Sequence, residues 1–91
     1  MMKHELRTWP EFFQAAWVGD KNFEIRKNDR HFQERDEIVL QEWNPKMEDA
    51  CGDHEKYTGR EIEGIITYLT DWNQKDDMIV FSWRETSRCE G

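Results

Sequence analysis

The stretch Gly19-Asp20-Lys21-Asn22-Phe23-Glu24-Ile25-Arg26 decides how this chain is read. Gly19-Asp20 makes a tight turn, and residues 22–26 then alternate polar and apolar, the period of a half-buried strand. The alternation predicts that Phe23 and Ile25 face the core, with Asn22, Glu24, Arg26 and Asn28 on the opposite face. Upstream, Thr8-Trp9-Pro10-Glu11 has the spacing of a capping box, with Pro in the first helical turn. Phe12, Phe13, Ala16 and Trp17 recur at helical spacing, and Gly19 can adopt the left-handed conformation that ends a helix. A helix is predicted over 9–18, preceded by a short polar lead at 4–7.

Downstream, Asn28-Asp29-Arg30 reads as a turn. Residues 37–43 form a strand with Ile38 and Leu40 on one face and Val39 and Trp43 on the other. Residues 44–58 lack apolar periodicity and form a long loop. Two more strands follow at 60–69 and 78–84, separated by a polar bend at 71–77. The domain is expected to span 1–84, with 85–91 a frayed tail. Phe12, Phe13, Trp17, Phe23 and Phe81 are assigned to the core. One early helix followed by mostly antiparallel strands implies the α+β class: a small, partly open β-barrel with the helix packed on one end.

A chain of 91 residues allows one core, and 5 Trp, 5 Phe and 2 Tyr supply large side chains for it. The 13 Lys and Arg against 20 Asp and Glu give a net charge of −7, which excludes coating of duplex DNA by bulk charge. Residues 21–35 carry five bases and three acids, a +2 island that leaves −9 for the rest. Two cysteines, Cys51 and Cys89, make no disulfide framework, so a reduced, cytoplasmic setting is expected. No apolar run of about 18 residues is present, and no membrane partner is expected. Cys51-x-x-His54, with His4 and His31 elsewhere, has spacing for one ligand pair but lacks the second; neither metal nor cofactor is expected.

The string from Gly19 to Arg26 resembles the Gly-x-Lys-Thr-x-x-x-Arg signature of ASCH domains, a branch of the PUA-like fold. Those domains continue with Gly-Asp and a hydrophobic strand, and Arg35-Asp36-Glu37-Ile38-Val39-Leu40 stands in that place. His4-Glu5-Leu6, Arg26-Lys27-Asn28-Asp29-Arg30, Glu42-Trp43 and Tyr57-Thr58-Gly59-Arg60 are similar to a small bacterial and phage family in that group, domain of unknown function 3850. Asn22 replaces the common Thr, and Arg35 the usual turn glycine. The resemblance implies a PUA-like barrel with a cleft displaying Lys21, Glu24 and Arg26, and it implies RNA binding. Some small members resemble amidohydrolases acting on acetylated cytidine, which use the motif lysine and a hydroxyl residue three positions later. Here Glu24 takes that hydroxyl position.

By chemistry alone, Lys21 can serve as an amine nucleophile if burial lowers its pKa, or as a point charge for phosphate. The Glu24 carboxylate beside it favours the charged form and therefore binding. Arg26 and Arg30 can present planar forks to phosphate or a base edge, and Arg26 can equally tie Glu24 or Asp29 into the barrel rim. Trp43, Tyr57 and Tyr68 are candidates for base stacking. The expected ligand-binding set is His4, Lys21, Glu24, Arg26, Asn28, Asp29, Arg30, Trp43 and Tyr57, with Lys21 and Glu24 catalytic only if the protein is an enzyme. Three functions follow as expectations. They are a module for single-stranded RNA or a nucleotide, a small amidohydrolase of an acylated nucleoside, and an acidic, phage-encoded factor docking on a protein partner.

Overall fold

The computed structural model describes residues 1–47 and 56–91. Lys3-His4-Glu5-Leu6-Arg7-Thr8 alternates exposed and buried residues as strand β1 (Lys3–Thr8), burying His4, Leu6 and Thr8. The sequence reads this segment only as a polar lead. Its strand character comes from a parallel partner far along the chain, β3 (Glu37–Trp43), with His4 opposite Ile38 and Leu6 opposite Leu40.

Helix α1 (Pro10–Trp17) follows with Trp9 as its N-cap and Pro10 at its first position. The expected capping box does not form, because Thr8 belongs to β1 and its hydroxyl donates to Leu6 O at 3.1 Å. Gly19 ends the helix region with φ +88°, in the left-handed conformation the sequence predicts. Strand β2 (Phe23–Lys27) pairs antiparallel with β5 (Met78–Glu90), β5 with β4 (Tyr57–Thr70), and β4 with β3. The sheet order is β1-β3-β4-β5-β2, a mixed five-stranded sheet curled into a half-barrel. Strands β4 and β5 are longer than the sequence suggests. Tyr57 already pairs with Trp43, and β5 continues past Arg84 until Glu90 pairs with Arg60, so 85–90 is strand where fraying is expected.

The concave face is filled by Leu6, Phe32, Ile38, Leu40, Ile62, Ile66, Ile79, Phe81 and Trp83, with Phe13 and Ala16 of α1 packed into it. Trp17 and Leu69 pack at its margin. Of the aromatics assigned to the core, Phe13 and Phe81 are there, whereas Phe12 and Phe23 are exposed. At Gly64 a Cβ would stand 2.8 Å from Arg84 O and 2.9 Å from the Trp83 ring, so this register shift between β4 and β5 requires glycine. No helix among the described residues is long and apolar enough to cross a membrane.

Candidate functional site

Because the half-barrel does not close, β1 and β2 are left as its two edges. Backbone alternation shows what each edge presents. Trp83 N–H donates to Asn22 O at 3.2 Å and Asn28 N–H to Asp77 O at 2.6 Å, so even-numbered β2 residues turn their backbone toward β5. Phe23, Ile25 and Lys27 turn theirs to the open side, where Lys21 Nζ donates to Phe23 O at 2.9 Å. On β1, Glu37 N–H donates to Met2 O, which leaves odd-numbered residues facing outward. Arg30 Nη1 reaches across to donate to Glu5 O at 2.7 Å.

The register also settles which face of β2 is interior. Glu24 lies opposite Phe81 and Arg26 opposite Ile79, so both project to the concave side, while Phe23 and Ile25 project outward. The exposures agree: Glu24 is 3 % exposed, Phe23 40 % and Ile25 53 %. This reverses the orientation expected from the alternation. At an unclosed seam the interior face of the last strand meets no opposing apolar strand, so polar side chains that bond across the gap can occupy it.

Glu24 is the centre of that polar group. One carboxylate oxygen, Oε2, is paired with the Lys21 ammonium, and Oε1 accepts from Arg26 Nη2 at 2.8 Å and Nε at 3.2 Å. Arg26 Nη2 also donates to the buried Thr8 hydroxyl at 3.3 Å, so the trio clasps β2 to β1. Burial, with the Arg26 guanidinium nearby, pulls the Lys21 ammonium from 10.5 down to about 8 against the attraction of Glu24. Lys21 stays mostly protonated at neutral pH and loses its charge under mildly alkaline conditions. Burial likewise pulls Arg26 below its ordinary value.

Above the trio opens a cleft of about 550 Å³ lined by Arg7, Thr8, Trp9, Phe12, Lys21, Phe23, Glu24, Ile25 and Arg26. Trp9, Phe12, Phe23 and Ile25 are all exposed and give it an apolar, largely aromatic wall. Its floor is charged and net positive, three bases against one acid. Such a cavity suits a flat apolar group carrying a negative charge.

The cleft thus gathers Lys21, Glu24 and Arg26 from the expected set. Asp29 and Arg30 line a smaller cavity beyond Arg26. Asn28 Oδ1 accepts from Phe32 N–H at 3.0 Å and fixes the turn. His4 is buried away from the cleft, its Nε2 2.8 Å from Asp36 Oδ2 and its ring against Phe32. Trp43 is buried with the Arg7 guanidinium 4.3 Å from its ring centre, and Tyr57 accepts from Arg7 Nε at 3.4 Å. Neither aromatic lines the cleft, although Arg7 joins them to it. Tyr68 is exposed and lies outside it. Cys51 and His54 lie outside the described residues, and among those described no group of three His, Cys, Asp or Glu could hold a metal ion.

Sequence reasoning missed the aromatic wall. Its signal was the pair Phe12-Phe13, which a helix turns about 100° apart, so that one of the two must leave a narrow core stripe.

A relative from Escherichia phage P2, described as an uncharacterized 12.9 kDa protein in the GpA 3′ region, is 32% identical over 68 residues. The match takes in 75% of this chain and 54% of the phage protein, so the chain spans about half of that relative's length. Residues 3–83, from the first residue of β1 into β5, match the family described as Domain of unknown function (DUF3850), and the chain belongs to that family.

Proposed function

We propose that this chain is a binding module of the ASCH type, within the PUA-like group, that holds single-stranded RNA or a nucleotide in the seam cleft. One observation carries the reading: exposed Trp9, Phe12 and Phe23 share a single cavity with Arg7, Lys21 and Arg26. Aromatic faces stack nucleobases of any sequence, and the Arg7, Lys21 and Arg26 side chains donate charge-assisted bonds to phosphate. The local positive charge in a chain of net −7 confines such binding to the cleft. The test is titration of the isotope-labelled protein with short single-stranded RNA and free nucleotides at two salt concentrations. Amide shifts confined to residues 7–12 and 19–30, weakened by salt and abolished in Phe23→Ala, are expected. Shifts scattered over the surface, or none, would remove the reading.

A second reading, a small amidohydrolase of an acylated nucleoside, is favoured by one feature. The Lys21 amine, pulled down to about 8, stands against the buried Glu24 carboxylate. It requires turnover of an acylated nucleoside by the wild-type protein and loss of turnover in Lys21→Ala with the fold intact.

A further inference from the structure

Arg26 faces two cavities. Its Nε and Nη2 serve Glu24 and Thr8 on the cleft side, while Nη1 forms no hydrogen bond among the described residues. The same side chain lines the second cavity, about 160 Å³, together with Leu6, Lys27, Asp29, Arg30 and Phe32. This cavity is much smaller than the main cleft of about 550 Å³ and has the size of a phosphate group.

The charges around it are unbalanced in an unusual direction for this chain. Acids outnumber bases 20 to 13, yet among the described residues neither Lys27 nor Arg30 has a carboxylate within ion-pair distance. Asp29 lines the same cavity without pairing to either. Arg30 spends one amino group on Glu5 O, and the rest of its five-donor fork is available. Three cations converging on a small concavity repel one another, and an oxyanion there relieves that repulsion while accepting from each.

We infer that the smaller cavity is an oxyanion subsite for a phosphate monoester, held by Arg26 Nη1, Lys27 and Arg30, with Arg26 as the divider from the main cleft. The inference rests on the cleft reading for the remainder of the ligand, which makes the preferred ligand a nucleoside monophosphate rather than a bare nucleoside. The phosphate-binding half stands on its own.

The experiment titrates the full chain with inorganic phosphate, then with a nucleoside and its 5′-monophosphate, following amide signals of wild type and the Lys27→Ala/Arg30→Ala double variant. Saturable phosphate shifts at residues 26–32 are expected, together with a monophosphate that binds about tenfold tighter than the nucleoside. The double variant should lose that advantage and keep its nucleoside affinity. Phosphate shifts that persist in the double variant overturn the subsite, as does a monophosphate no tighter than its nucleoside, and the second result leaves the cleft reading standing. Phosphate binding at 26–32 without nucleoside binding keeps the subsite and removes the cleft reading. Should loosening of the Arg30 bridge unfold the double variant, Lys27→Glu at its exposed position carries the same comparison.

Discussion

Arg26 and Thr8 meet at 3.3 Å across the gap between the two edge strands, joining by one side-chain bond what backbone pairing leaves open. The bond is possible only because Arg26 and its partner Glu24 occupy the concave face of β2. Stability and the cleft therefore depend on the same few residues.

Removing the carboxylate from this cluster should be costly. In Glu24→Ala, Lys21 and Arg26 remain side by side, mostly buried and of like charge, and the Arg26 clasp loses its anchor. A loss of about 3 kcal/mol is expected, read as a lower urea midpoint. A change below about 1 kcal/mol would show that water replaces the carboxylate.

The pH dependence follows from Lys21, which titrates near 8 in the folded protein against 10.5 ordinarily. Between those values the unfolded chain binds more protons, so stability rises with pH over about 8 to 10.5, and the cost of the buried charge is fully present below 8. Urea midpoints of wild type relative to Lys21→Met should therefore increase from pH 7 to pH 10. A flat difference would mean that Glu24 holds the ammonium at its ordinary value.

At the far end of β1, burial is the largest single influence and would raise the Asp36 carboxyl, but bonds from His4 at 2.8 Å and from Met2 and Gln33 N–H at 3.1 Å together outweigh it and hold it below its ordinary value. Its contribution is present above pH 3.8 and is lost as pH falls through the lower folded value. Asp36→Asn should cost about 2 kcal/mol at pH 7 and flatten the acid side of the stability profile, measured by denaturant midpoints from pH 7 to 2.5.

Arg35 has a φ of +78°, the left-handed conformation that glycine adopts freely. Arg35→Gly should raise stability by about 1 kcal/mol, visible as a higher thermal midpoint. An unchanged or lower midpoint would mean that the arginine side chain compensates for its backbone.

By itself the sequence determined a helix over 9–18, observed at 10–17, strand cores at 22–26, 37–43, 60–69 and 78–84, the first observed at 23–27, and the turn conformation at Gly19, because period, proline and glycine act locally. Alternation also put Glu24 and Arg26 on one face of β2, and the resemblance set Lys21 beside them. Only the tertiary structure decided whether that face is inside. Alternation fixes the period of a strand and not its phase, and at the unclosed edge of a half-barrel the interior face is a polar seam. The exposure of Phe23 and Ile25 in the cleft wall follows from the same reversal, whereas Trp9 and Phe12 come from the start of α1. Strand β1, and the withdrawal of His4 into a pair with Asp36, depend on parallel pairing with a segment more than thirty residues away, which no local pattern in Lys3–Thr8 can encode.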